Sequence, residues 1–201
     1  MAVLDKSEYD ISYFDGAKSS LTHNAGFTRY ERWRRFEGTN STGEFWKDKC
    51  ANWINHLALS GKKVLELACA KGFIVKDLRD AGVDAIGMDA SSYAISQCEE
   101  GVAPYLIQGD VRTDLTQFLN KQFDVVLSFR LIECLTDAEV TKLATDCQRI
   151  GKKQVHIITT GTHLNNQYYN YHTLQEWLNN FNWSKGTVLA DYNDENNYVT
   201  K

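Results

Sequence analysis

Residues 62–90, KKVLELACAKGFIVKDLRDAGVDAIGMDA, decide the fold of this chain. They contain an apolar run, a turn of small residues, a helix-like segment and a second apolar run that ends on Asp89. This order is typical of a strand, a crossover helix and a parallel strand. In such a unit the turn after the first strand, here ACAKG at residues 68–72, faces the ligand.

Strand-like and helix-like segments continue to alternate along the rest of the chain. We expect parallel strands at residues 63–68, 85–89, 105–108, 123–129 and 154–160, and an antiparallel hairpin within residues 185–201. The predicted fold is α/β: a doubly wound, mostly parallel Rossmann-like sheet of about seven strands with helices on both faces. We expect one domain over residues 1–201, with residues 1–43 as an N-terminal cap and residues 44–201 as the core.

The helices between the strands carry their own start signals. Thr136 with Glu139, and Thr173 with Glu176, have the spacing of a capping box, in which the two residues bond each other's backbone N–H groups. Ser41 has the same spacing from Glu44, and Gly61 is the expected end of the helix that Glu44 opens.

Composition excludes several classes of function. Lys plus Arg total 22 against 26 for Asp plus Glu, so the net charge of −4 gives no general attraction to nucleic acid or an anionic membrane. Five cysteines without a C-x-x-C pair predict reduced thiols, and neither cysteines nor histidines have the spacing of metal ligands. No apolar run suits a signal peptide or a membrane span, so we expect a cytoplasmic protein.

Two acids flank the small-residue turn and restrict the ligand. Glu66 lies inside the first strand and Asp89 ends the second, where an acid can bind both hydroxyls of a ribose. The turn lacks two glycines of the G-x-G-x-x-G pattern that admits a dinucleotide pyrophosphate, and a carboxylate beside it repels that group. A positively charged nucleoside is therefore expected.

Four segments in the right order resemble motifs of the class I S-adenosylmethionine-dependent methyltransferases: VLELACAKGF, GMDAS, QGDV and FDVVLSFRLIECL, within residues 62–135. The resemblance implies that S-adenosylmethionine is the cofactor, that Asp89 binds its ribose, and that Asp110 and Val111 hold its adenine. It implies a cofactor site composed of Glu66, Ala68, Cys69, Ala70, Gly72, Asp89, Ala90, Asp110, Val111, Ser128 and Phe129. The family usually has glycine at positions 68 and 70. Binding is expected to survive if both alanines keep negative φ and to weaken if either needs positive φ.

The acceptor and the catalytic groups follow less directly from these motifs. Tyr13, His23, Glu133 and His163 are candidates for contact with the transferred methyl or the substrate, and no general base is identified. Structural roles remain open: acids that end strands also cap helices, and Phe129 and Glu133 can belong to the core. His156, within an apolar strand, is expected to be a satisfied core residue.

The expected acceptor is a small molecule or a polar metabolite, because the segment after the fourth strand lacks the Asn/Asp-Pro-Pro-aromatic signature of adenine or cytosine amino methylation. The arginines within residues 29–35 leave an RNA or phosphate-bearing acceptor open. Two other classes remain: a nucleotide-dependent oxidoreductase, and a regulatory or cofactor-degrading protein that binds S-adenosylmethionine without transferring methyl.

Overall fold

A computed structural model describes residues 6–15, 44–159, 170, 172–181, 183–185 and 196–200. Within these residues one sheet contains seven strands in the order β3-β2-β1-β4-β5-β7-β6. The strands are β1 Lys63–Leu67, β2 Asp84–Asp89, β3 Leu106–Gln108, β4 Phe123–Phe129, β5 Gly151–Thr159, β6 Ser184–Lys185 and β7 Asn196–Thr200. Strands β1 to β5 run parallel to one another, and β7 is antiparallel to both β5 and β6. The predicted mostly parallel sheet is confirmed.

The register aligns the carboxyl ends of the central strands. Leu67 lies beside Met88 of β2 and beside Ser128 of β4. The strand order reverses between β1 and β4, which is where open α/β sheets bind ligands. The residues that follow these strands therefore converge at one edge of the sheet.

Helices cover both faces of the sheet. The described helices are α1 Ile11–Phe14, α2 Glu44–His56, α3 Phe73–Asp80, α4 Ser92–Ser96, α5 Asp137–Ile150 and α6 Leu174–Phe181. Helices α2 and α3 pack with Val64 and Leu127 on one face. Helices α5 and α6 pack with Leu65 and Val126 on the other face, because successive side chains of a strand point to opposite sides.

The start signals of two helices are confirmed. The Thr136 side chain accepts from the Glu139 N–H, and the Glu139 carboxylate accepts from the Thr136 N–H, at the start of α5. Thr173 and Glu176 exchange the same pair of bonds at α6. Ser41 lies outside the described residues.

The end of α2 differs from the prediction. The chain reverses at Ala58, which has φ of 53°, and the Leu59 N–H bonds the Ile54 carbonyl. Gly61, expected to end the helix, lies in the following turn. An alanine therefore occupies the left-handed position that glycine usually takes at a helix end. Among the described residues, no helix has the length and apolar character needed to cross a membrane.

Candidate functional site

A cavity lies at the carboxyl edge of β1, β2 and β4, as the strand order requires. The cavity has a volume of about 150 Å³. Nine of the expected cofactor residues line it: Glu66, Ala68, Cys69, Ala70, Asp89, Ala90, Asp110, Val111 and Phe129. Sequence segments more than forty residues apart therefore meet around one space.

The turn between β1 and α3 is built from strained alanines. Ala68 has φ of 58° and Ala70 has φ of 50°, both in the left-handed region. The condition of negative φ at these two positions is therefore not met. An L-residue there costs roughly 1–2 kcal/mol. This strain lowers the stability of the fold.

Cys69 lies between the two alanines and packs on β2. A Cβ built at Gly87 would lie 2.7 Å from the Cys69 sulfur, so glycine is required where the thiol crosses the strand. Burial, and then the Asp89 carboxylate, raise the pKa of the Cys69 thiol well above its ordinary value. Cys69 is thus a packing residue of the turn, and all five cysteines are free thiols, as predicted.

Asp89 connects the end of β2 to the strained turn. Its Oδ2 accepts a 2.8 Å hydrogen bond from the Ala70 N–H, and its Oδ1 accepts one of 2.8 Å from the Ser91 N–H. Burial raises the pKa of this carboxyl, and the two backbone N–H groups oppose that rise. Each carboxylate oxygen has a second lone pair, and Asp89 lines the cavity, so the carboxylate can accept from two further donors.

Glu66 is a buried acid on the floor of the cavity, with 2% of its surface exposed. The Val75 N–H bonds its carboxyl, but among the described residues no group hydrogen-bonds Oε2. Burial first, and then the Asp89 charge, raise the pKa of Glu66 to about 8. A buried polar atom without a partner is costly unless a ligand satisfies it. The oxygen Oε2 therefore marks a place for a donor or a cation.

Asp110 lies beyond the end of β3 and is held by Arg112. The Arg112 Nε and Nη2 donate to the two carboxylate oxygens at 2.9 and 3.0 Å. The hydrogen bond to the Asp110 side chain raises the pKa of Arg112. Sequence analysis predicted Asp110 but missed Arg112, although it follows Asp110 by two residues and also lines the cavity.

Two expected cofactor residues are not among those that line the cavity. The Ser128 side chain points to the face opposite Phe129 and bonds Nδ1 of His156 at 2.8 Å. Gly72 has φ of 80° and begins α3; a Cβ there would meet Leu106 and Val102, away from the cavity. Both residues lie behind the residues that line the cavity.

His156 is a satisfied core residue, as expected. It is fully buried, its second ring nitrogen bonds Gln154 at 3.0 Å, and burial lowers its pKa to about 4.

Residues 6–15 cover the cavity. Tyr9, Tyr13 and Phe14 line it, and the two latter rings pack against Ala94 and Ala70. The Ser91 hydroxyl donates to the Tyr9 carbonyl at 2.5 Å. The Asp15 carboxylate accepts hydrogen bonds from the Lys71 ammonium at 2.8 Å and from the Tyr93 hydroxyl at 2.7 Å. This segment is therefore attached to the loops after β1 and β2.

The four catalytic candidates have different outcomes. Tyr13 lines the cavity. Glu133 is buried, does not line it, and accepts the Asn170 N–H on its backbone carbonyl at 2.6 Å. His23 and His163, like the arginines within residues 29–35, lie outside the described residues.

Sequence analysis assigned no role to several lining residues, which are Tyr9, Phe14, Phe73, Ile74, Arg112, Leu131, Cys134 and Leu135. Most are apolar residues of helices and loops. The hydrophobic pattern of a sequence does not distinguish a residue that lines a pocket from one that is buried in the core.

Comparison with known families gives one match that covers much of the chain. Residues 49–170, more than half of the sequence, match the family described as "Methionine biosynthesis protein MetW". The matched range includes every residue of the cavity that belongs to the sheet and its connections.

Curated relatives match over shorter stretches. The ubiquinone biosynthesis O-methyltransferase of Pseudomonas syringae pv. tomato is 34% identical over 107 residues, which are 50% of this chain and 45% of that protein. The protein of the same name from Azotobacter vinelandii is 36% identical over 92 residues, 43% of this chain and 39% of that protein. The chain spans less than half the length of these two relatives.

Solved structures share the fold at low identity. The PH0226 protein from Pyrococcus horikoshii OT3 superposes with a TM-score of 0.63 at 18% identity, covering 87% of this chain and 98% of that one. The magnesium protoporphyrin IX methyltransferase of Synechocystis PCC 6803, solved with bound SAM, gives 0.62 at 15% identity and covers 100% of this chain and 98% of that one. The resemblance to class I methyltransferases is confirmed at the level of fold.

Proposed function

The chain belongs to the family described as methionine biosynthesis protein MetW, and from this premise we propose that it is an S-adenosylmethionine-dependent methyltransferase with a small-molecule acceptor. The observation that carries the proposal is the Oε2 of Glu66, which no group of the described residues hydrogen-bonds, beside Asp89 in one cavity. Two buried carboxyl groups next to a turn of small residues favour a cationic nucleoside over a pyrophosphate.

Each acid has a distinct part in holding the cofactor. Asp89 is anchored by two backbone N–H groups and keeps lone pairs for the two ribose hydroxyls. The Glu66 oxygen Oε2, which no described group hydrogen-bonds, is assigned to the positively charged methionine end of the cofactor. Asp110 and Val111 lie on the wall beyond β3 and are assigned to the adenine. Arg112 then fixes the position of the Asp110 carboxylate rather than leaving it free.

The cofactor, when bound, supplies a methyl group on a sulfonium, which is already activated for in-line displacement. The chain's own residues exclude water and hold the reactants, because orientation supplies most of what such a transfer needs. Tyr9, Tyr13 and Phe14 close the cavity from above, and Phe129 and Leu131 close it from the side of β4. Of the four candidate residues, Tyr13 is the one that lines the described cavity, and we assign it to contact with the acceptor.

Calorimetric titration tests cofactor binding directly. The protein is titrated with S-adenosylmethionine, S-adenosylhomocysteine and NADH under the same conditions. Saturable binding of the first two with a stoichiometry of one, and no heat with NADH, is expected. Binding of NADH alone would favour the oxidoreductase class and reject the proposal. Methyl transfer is then tested by mass spectrometry after incubation with a panel of phenols, amines, thiols and carboxylic acids.

A second candidate function is binding of S-adenosylmethionine without methyl transfer. The methyl groups of Ala68 and Ala70 favour it, because both residues line the cavity where the family usually has glycine. Tight binding of the cofactor with no methylated product from the panel would support this alternative. Recovery of product in the Ala68→Gly or Ala70→Gly variants would assign the loss to these methyl groups.

A further inference from the structure

Arg130 lies on the cavity wall at the place where the chain leaves the sheet. It follows directly after β4, next to β1 in the sheet, whereas Glu66, Asp89 and Asp110 belong to the side of β1, β2 and β3. The cavity therefore has acids on one side and a cation on the other. Its apolar neighbours on the wall are Phe129, Leu131 and Leu135.

The other cationic side chains near the cavity have partners. Arg112 forks onto Asp110, and Lys71 pairs with Asp15 at 2.8 Å. Within the described ranges, no hydrogen bond or ion pair engages the Arg130 guanidinium. A guanidinium presents a planar set of donors that fits the two oxygens of a carboxylate. Arg130 thus lines the cavity with no described partner for these donors.

The backbone of Arg130 is strained, which is unusual for a long side chain. Its φ is 55°, and its N–H bonds the Ile157 carbonyl at 2.8 Å. A non-glycine residue in this region costs stability, and such residues concentrate at functional sites. Glycine would satisfy the same backbone with less strain. The arginine at this position therefore costs backbone strain that glycine would avoid.

We infer that Arg130 binds a carboxylate inside the cavity, opposite the acids that hold the nucleoside. This inference rests on the proposed function. Two ligands of that function can supply the group: an acceptor with an apolar body and a carboxylate, or the cofactor through its own methionine carboxylate. The chemistry recognised by Arg130 is the same in both cases, and binding measurements separate them.

The test compares the wild type with Arg130→Gly, Arg130→Lys and a charge-matched control, Lys153→Gln. Lys153 is exposed at the amino end of β5, far along the strand from the cavity edge. Dissociation constants are measured for S-adenosylhomocysteine and for 5′-methylthioadenosine, which lacks the amino-acid carboxylate. Benzoate and its uncharged isostere benzamide are titrated with and without S-adenosylhomocysteine. Thermal unfolding of every variant is recorded alongside.

If the cofactor supplies the carboxylate, Arg130→Gly lowers the affinity for S-adenosylhomocysteine on the order of ten- to hundredfold. The affinity for 5′-methylthioadenosine is then unchanged. If the acceptor supplies it, both nucleosides bind as in the wild type, and benzoate binding is lost while benzamide is unaffected. In both cases Arg130→Lys recovers part of the affinity, Lys153→Gln behaves as the wild type, and Arg130→Gly melts no lower than the wild type.

Unchanged dissociation constants for all four ligands in Arg130→Gly, with or without a lower melting temperature, overturn the inference and leave Arg130 a structural residue. Failure of the wild type to bind either nucleoside is a different result. It rejects the proposed function, and the benzoate titration of the unliganded protein then tests Arg130 by itself.

Discussion

Protonation of Glu66 is expected to control the affinity for a cationic cofactor. Burial raises the pKa of Glu66 to about 8, so its carboxyl is mostly neutral at pH 7. With that pKa, about one molecule in a hundred is ionised at pH 6 and about one in eleven at pH 7. If binding needs the ionised form, the dissociation constant for S-adenosylmethionine falls about ninefold over this unit of pH.

The same linkage predicts a release of protons. A site that is protonated when free and ionised when bound loses about 0.9 proton per ligand at pH 7. Calorimetry in two buffers with different ionisation enthalpies measures this number. Glu66→Gln has no proton to release, so its dissociation constant is expected to be higher at pH 7 and nearly independent of pH between 6 and 7. Glu100, exposed and not among the lining residues, gives the control Glu100→Gln, which keeps the wild-type profile.

The sign of the stability effect is opposite. The folded-state pKa of Glu66 is raised, so its contribution to stability is fully present below the ordinary pKa of 4.5 and is lost as pH rises toward 8. Glu66→Gln should therefore gain stability relative to the wild type between pH 5 and pH 8. If Glu66→Gln keeps the wild-type pH dependence of cofactor affinity and the wild-type proton release, the assignment of Glu66 to the cofactor site is refuted.

Three other predictions concern single residues of the site and core. Asp89→Ala should weaken the binding of S-adenosylhomocysteine, measured by calorimetry, by about 1–3 kcal/mol, because the ribose hydroxyls lose their acceptor. An unchanged affinity contradicts this role of Asp89. Ala70→Gly should stabilise the fold by roughly 0.5–1 kcal/mol in urea unfolding, since relief of positive φ exceeds the entropy that glycine adds to the unfolded chain; lower stability would show that the φ is not strained. His156, whose pKa burial lowers to about 4, should make the fold lose stability as pH falls from 6.5 to 4, and His156→Gln should show a shallower loss in urea unfolding.

The parts of the fold that sequence predicted correctly depend on short spacings. The turn after β1, the acid that ends β2 and the capping box at Thr136 are local patterns with one physical solution each. Glu66 stood out because an acid inside an apolar strand has few structural explanations. These residues can be predicted without knowledge of what packs around them.

The remaining features depend on contacts between distant segments. Positive φ at Ala68 and Ala70 follows from how β1 meets α3, and alanine gives no sign of it in the sequence. The sequence predicts Ser128 in the cofactor site, whereas strand alternation turns its side chain toward His156. The covering segment with Tyr9 and Phe14 is held by bonds to residues 71, 91 and 93, which no local pattern indicates.

A crystal structure of the protein with S-adenosylhomocysteine tests the central claim most directly. We predict the ribose hydroxyls within hydrogen-bonding distance of Asp89, the adenine against Asp110 and Val111, and the homocysteine end beside Glu66. Density for the ligand outside the cavity, or a ribose that does not touch Asp89, would contradict the account.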